Sequence, residues 1–251
     1  MSGKTYVLSD IHGHFQLFKK MLKKINFSEN DQLYILGDIC DRGPESLDIY
    51  FYISHFDNIT LLKGNHEYMM QEALKLAIEN NDFDFPSCQF NLWEQNGGDT
   101  TIKNIRDYLH KKCLSHLDYT IVRNVFLRQI YDYIKSLPLL LQIRVNHKDY
   151  VLVHAGVDPE KGLNEQEEET ILWIRDYFYL SPCDLNKTYI FGHTPVCFIN
   201  RNQSYDIWFD DEYHNKIGID GGLACGQLGQ LNCLCLDTME SYVIKKKGNE
   251  V

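Results

Sequence analysis

Six short apolar runs, at residues 6–8, 33–36, 59–62, 150–153, 189–191 and 217–219, constrain this chain more than any other feature. They are aliphatic, β-branched or aromatic, and each soon gives way to Gly, Asp, His or Asn, as buried strands do. Among the early runs the period changes. Phe15, Leu17, Phe18, Met21, Leu22 and Ile25 recur at helical spacing, as do Met69, Ala73, Leu74, Ala77 and Ile78, so each set predicts a helix after a strand. Alternating strand and helix is the grammar of an α/β domain, whose ligands collect beyond the carboxyl ends of the strands. With 251 residues, 44% of them hydrophobic, and no repeat or Pro- or Ser-rich linker, one domain over residues 1–251 is expected.

Residues from about 80 to 135 break this pattern with polar and aromatic helix-like stretches and a turn signal at Asn96-Gly97-Gly98. They predict a mainly helical insertion, serving as a lid or as packing bulk. Four acids in residues 165–169 predict a solvated helix start, and the lysines at 245–247 a basic tail.

The formal charge of −10 excludes a global basic field for nucleic acid or an anionic membrane, so an anionic substrate needs local positive charge at its site. Eight cysteines without CxxC spacing, behind a start too short and polar for a secretory signal, predict mostly buried thiols in a reducing cytoplasm. The most apolar stretch, residues 137–143, is far below the ~20 residues that span a bilayer. The chain is therefore expected to be cytoplasmic, with no membrane partner.

The chemistry lies just past the end of each run. After the first comes Asp10-Ile11-His12-Gly13; after the second, Gly37-Asp38-Ile39-Cys40-Asp41-Arg42-Gly43; after the third, Gly64-Asn65-His66-Glu67. The fourth leads to His154-Ala155-Gly156 and the fifth to Gly192-His193-Thr194. One histidine at a strand end is usually structural, but five strand ends carrying metal-capable side chains reverse that expectation. In Asp10-x-His12 an extended backbone would turn both side chains to one ion. Asp38 can bridge two ions, Asn65 offers an amide oxygen, and His154 and His193 offer imidazoles. Such a mixed N/O shell suits Mn, Fe or Zn better than Ca. Asp220-Gly221-Gly222, after the sixth run, reads as a turn with no metal role.

In order, these motifs make the chain similar, from about residue 5 to 238, to the calcineurin-like metallophosphoesterases. Within them it resembles the serine/threonine phosphoprotein phosphatases of compact bacterial and phage type. The one departure inside the motifs is Ser9 in place of glycine. The resemblance implies a four-layer α/β/β/α sandwich of two mixed β-sheets flanked by helices. It implies two divalent metal ions, Mn2+ first, with Fe or Zn as options: Asp10, His12 and Asp38 hold one, and Asp38, Asn65, His154 and His193 the other. It further implies that His66 is a general acid oriented by Asp41, and that Arg42 and, through Trp173-Ile174-Arg175, Arg175 bind the substrate phosphate together with Asn65 and His66. Asp41 is expected to raise the His66 pKa. A hydroxide formed on the metals would then attack phosphorus in line. The implied partner is a phosphorylated protein or small phosphoester, met by a monomer. Two other readings stand beside a serine/threonine protein phosphatase: a diadenosine tetraphosphate hydrolase and a non-catalytic metal-binding scaffold. Glu67 and Thr194 favour the phosphatase, because the tetraphosphate hydrolases carry G-N-H-D and G-H-W. Tyr205 and Tyr213 are candidates for a tyrosine near the site.

Overall fold

A computed structural model describes residues 3–80, 92–112 and 116–246. The first third alternates as expected: β1 (Thr5–Leu8), α1 (Phe15–Lys24), β2 (Gln32–Ile35), α2 (Ser46–Ile53), β3 (Ile59–Leu61) and α3 (Asn65–Glu79). A π-helical turn (Glu94–Gly98) then leads into α4 (Asp99–Lys112) and α5 (His116–Ser136), so what is described of residues 80–135 is helical. Next come β4 (Leu140–Val145), β5 (Lys148–Val153), α6 (Glu168–Trp173), α7 (Asp176–Tyr179), β6 (Thr188–Phe191), β7 (Trp208–Phe209), β8 (Lys216–Gly218), β9 (Gln230–Cys235) and β10 (Ser241–Lys245).

The strands form two five-stranded mixed sheets, ordered β10-β9-β1-β2-β3 and β4-β5-β6-β8-β7. In the first, β1, β2 and β3 run parallel; in the second, β5, β6 and β8 do. Alternation along the strands sorts the core into layers. Val7, Leu152, Ile190, Ile217 and Leu234 pack between the sheets. Tyr6, Leu8, Leu33 and Ile35 face the opposite way, onto Phe18, Met21, Leu74 and the other helical residues of α1 to α5. Val151, Val153, Tyr189 and Phe191 pack against Ile171 and Phe178 on α6 and α7. This is the expected α/β/β/α sandwich.

Some local expectations change. Residues 137–143 run into β4, which pairs antiparallel with β5. Lys245 pairs with Gln230 in β10, and Lys246 Nζ donates to the Leu223 carbonyl at 3.1 Å, so the basic segment is docked; Lys247 lies outside the described residues. Within 165–169, only Glu168 and Glu169 start a helix, and Glu168 pairs with the buried Lys63 at 3.1 Å rather than with solvent alone. The six described cysteines are unpaired, four of them buried; Cys88 and Cys113 lie outside the described residues. Among the described residues no helix is long and apolar enough to cross a membrane.

Candidate active site

The parallel strands of both sheets deliver their carboxyl ends to one cleft of about 320 Å³. Asp10 and His12 come after β1, Asp38 after β2, Asn65 and His66 open α3 after β3, and His154 and His193 come after β5 and β6. Asp10 and His12 are not extended, as their spacing suggested. They sit in left-handed backbone at φ 53° and 44°, and so do Asp38, Asp41, Arg42 and His193 at 55–68°. Each such non-glycine residue costs ~1–2 kcal/mol, so the surrounding structure must hold the loops in place. Backbone bonds do this: the N–H groups of Asp10, His12 and Gly13 donate to the carbonyls of Gly37, Asp38 and Ile39 at 2.9–3.2 Å. Glu67 adds three more anchors, accepting from the N–H groups of Asp38, Ile39 and Gly64 at 2.8–2.9 Å. A Cβ on Gly64 would stand 2.2 Å from Asp38 Oδ1, so only glycine lets α3 begin against that carboxylate.

The donor atoms converge in a way hydrogen bonds alone do not explain. His12 Nδ1 donates to the Cys40 carbonyl at 3.0 Å, leaving Nε2 to accept from Arg42 Nη1 at 3.3 Å while it faces Asp38 Oδ2 at 3.7 Å and Asp10 Oδ1 at 4.0 Å. His154 Nδ1 donates to the Leu36 carbonyl at 2.7 Å. In the neutral ring its Nε2 is then a bare lone pair, 2.9 Å from Asn65 Oδ1 and 3.6 Å from Asp38 Oδ2. His193 Nδ1 also lies 2.9 Å from Asn65 Oδ1. Lone pairs aimed at lone pairs, with the far ring nitrogens of His12 and His154 tied to backbone carbonyls, are what a divalent cation fits. Asp38 belongs to both candidate groups, one with His12 and His66 and one with His154 and His193. Burial pushes the Asp10 and Asp38 carboxyls up, and it pushes the His12 and His193 imidazoles down to the neutral form that ligates. Ser9, the departure from the motif, adds a donor: its hydroxyl and the His193 N–H both donate to Asp10 Oδ2.

Beside this cage, His66 Nδ1 contacts Asp41 Oδ2 at 2.7 Å, which presents Nε2 to the cleft. Asp41 is fully buried and accepts from Trp93 Nε1 at 2.9 Å and Thr101 Oγ1 at 2.6 Å. Burial raises Asp41 to about 7 against those donors. The expectation that Asp41 raises the His66 pKa is corrected: burial, then Arg42 and His154, push this imidazole well below its ordinary range. A phosphate dianion in the cleft would pull it up again.

Arg42 is held through its backbone N–H to the Gly97 carbonyl at 3.0 Å and its Nε to the Asn96 carbonyl at 3.5 Å. Arg175 Nη1 donates to Thr194 Oγ1 at 3.1 Å and the His193 carbonyl at 3.3 Å. Both arginines line the cleft with Asp10, His12, Asp38, Asn65, His66 and His193; His154 lies beneath, and Asp41 behind His66. Sequence reasoning missed Trp93 and Thr101, whose only signal was a tryptophan beside the Asn96-Gly97-Gly98 turn. It also gave no role beyond a turn to Asp220, which is buried in the cleft wall, its carboxyl pushed well up by burial and then by Asp10. Of the two tyrosines, Tyr205 packs behind Gly222 at the cleft margin, whereas Tyr213 covers Lys216 Nζ at 4.7 Å.

The sequence profile of the calcineurin-like phosphoesterases matches residues 3–206. A Salmonella typhimurium protein named serine/threonine-protein phosphatase 1 is 26% identical over 198 residues, 76% of this chain and 79% of that one. A Buchnera aphidicola protein named symmetrical bis(5'-nucleosyl)-tetraphosphatase is 38% identical, over only 31% of this chain and 28% of its own length. Among solved structures, that of a provisionally assigned diadenosine tetraphosphatase superposes with a TM-score of 0.65 at 16% identity, covering 99% of this chain and 96% of that one.

Proposed function

Because the chain belongs to the calcineurin-like phosphoesterase family, we propose that this metallophosphoesterase is a serine/threonine protein phosphatase that works with two Mn2+ ions. The observation that carries the reading is the His66–Asp41 pair, clamped by Trp93 and Thr101. A serine or threonine alkoxide is a poor leaving group and needs a proton as its bond to phosphorus breaks. A nucleotide leaving from a dinucleoside tetraphosphate is far more acidic and needs none.

Asp10, His12 and Asp38 would hold one ion and Asp38, Asn65, His154 and His193 the other. Fe or Zn would suit the same donors. When bound, the pair supplies Lewis acidity toward phosphate and water. In this reading Arg42 and Arg175, with Asn65 and His66, bind the non-bridging phosphoryl oxygens and stabilise the charge that spreads over them. His66 gives its Nε2 proton to the leaving oxygen, and Asp41 holds Nδ1 so that the ring stays aligned. Residues of about 80–135, in a single domain, support this pair through Trp93 and Thr101. In this reading the protein is a cytoplasmic monomer acting on phosphoproteins; the unpaired state of the six described cysteines accords with the cytoplasmic part.

The test is catalytic efficiency with Mn2+ on phosphoserine, phosphothreonine and phosphotyrosine peptides beside diadenosine tetraphosphate. The phosphoserine and phosphothreonine peptides should lead. A strong preference for the dinucleotide would reverse the assignment, and turnover of none would point to a scaffold.

A further inference from the structure

Asp220 occupies the same place on β8 that His193 occupies on β6 and Asp10 on β1, two residues past the end of its strand. Its side chain lines the cleft, and the residue is only 4% exposed. The Gly222 N–H donates to Oδ1 at 2.8 Å and the Val196 N–H donates to the Asp220 carbonyl at 2.9 Å, which pins the carboxylate and ties it to the segment after His193. Oδ2 receives no hydrogen bond from any described residue. Asp10, Arg42 and Arg175, which line the same cleft, are the charged groups that act on it.

A turn at Asp220-Gly221-Gly222 requires only an acceptor for the Gly222 N–H, which an asparagine amide would provide equally well. The carboxylate adds a buried negative charge near Asp10, which Arg42 and Arg175 offset only in part and which a bound cation would offset further. The cage is also uneven. Asp10, His12 and Asp38 give one side three donor residues, whereas Asp38, Asn65, His154 and His193 give the other four. We infer that Asp220 is a further carboxylate of the metal centre, strengthening its hold on the cation on the Asp10–His12 side. The inference rests on the two-ion reading above.

The experiment is calorimetric titration of the chelator-treated full-length protein with Mn2+, with metal content measured after desalting. Wild-type protein should bind two ions. Asp220→Asn, which keeps the acceptor for Gly222, should weaken one of them by ~10–100-fold and change the other by less than about twofold. Asp220→Glu, which keeps the charge, should stay within about tenfold of wild type on the same scale. It also serves as the second variant should the asparagine form not fold. Two ions bound with unchanged affinity by Asp220→Asn, or a loss in Asp220→Glu as large as in Asp220→Asn, would overturn the assignment. Fewer than two ions bound by wild-type protein would instead overturn the two-ion reading beneath it.

Discussion

Trp93→Phe isolates what the helical segment contributes to the chemistry. The indole is fully buried and its Nε1 donates to Asp41 Oδ2 at 2.9 Å, on the oxygen that also faces His66 Nδ1 at 2.7 Å. A hydrogen bond to a charged group contributes ~1.5–3 kcal/mol, and ~1.4 kcal/mol is tenfold in rate. The loss of kcat is thus bounded at roughly 100-fold; because Thr101 still holds Oδ1, we expect roughly tenfold on a phosphoserine peptide. On 4-nitrophenyl phosphate, whose leaving group needs little protonation, the loss should stay below about twofold. The variant also moves the pH profile. Trp93 is one of the donors that hold Asp41 down to about 7, so its removal raises that carboxyl further. The acidic limb of kcat, where Asp41 becomes protonated and releases His66, should shift to higher pH. Steady-state kinetics on both substrates, with metal content checked, decide the matter. Equal losses on the two substrates, or an unmoved limb, would refute the coupling from Trp93 through Asp41 to His66.

The same geometry sets three further outcomes. His66→Asn should depress phosphopeptide turnover far more than aryl phosphate turnover while metal content stays put; equal depression would remove His66 as the acid. Asp38→Asn should leave less than one Mn2+ per chain by elemental analysis, because both candidate groups share this carboxylate; retention of two ions would exclude the bridge. With chelator present, the melting temperature should fall between pH 7.5 and 8.5, above the range in which unfolded imidazoles titrate, since Asp38, raised well above its ordinary value, and the last of Asp41, raised to about 7, favour the folded state while protonated and lose that advantage as they ionise. His12, His66 and His193, depressed in the fold, add stability only until the unfolded imidazoles have lost their protons, and so act below this window. Saturating Mn2+ should abolish the slope, and a chelated protein that melts higher at pH 8.5 would contradict the carboxylate assignment.

The strands that sequence periodicity reveals are the parallel ones: β1, β5, β6 and β8 carry consecutive buried residues, and β2 and β3, though partly half-buried, are still covered enough to keep an apolar run. β9 stays hidden for the complementary reason. It is buried along its whole length yet carries Gln230 and Asn232, which are tolerated because Gln230 Nε2 donates to Asn232 Oδ1 at 2.9 Å and both side chains reach the Tyr205 carbonyl. A polar pair that satisfies itself inside a sheet looks, in one dimension, like a loop. β4 is legible as apolar but not as a strand: it alternates weakly and is half-buried, so pairing with β5 decides its state more than its own pattern does.

The same logic separates the legible part of the site from the rest. In this fold a candidate metal ligand is one of a few residue types placed at a strand end, so Asp10, Asp38, His154 and His193 announce themselves as candidates by type and place together. The groups that orient Asp41 face no such restriction: any donor at the right distance serves, and Trp93 and Thr101 reach it from 52 and 60 residues away. Asp220 is the instructive intermediate. An aspartate that caps a turn and an aspartate that faces a cation are the same letter before the same glycines, and only burial and the neighbouring Asp10 tell them apart. The net charge of −10 conceals this arrangement as well. Asp10, Asp38, Asp41 and Asp220 are buried around one cleft whose wall also carries Arg42 and Arg175. In the proposed reading, the acidity that repels phosphate from the molecule as a whole would be, at this point, the means of gathering the positive charge that binds it.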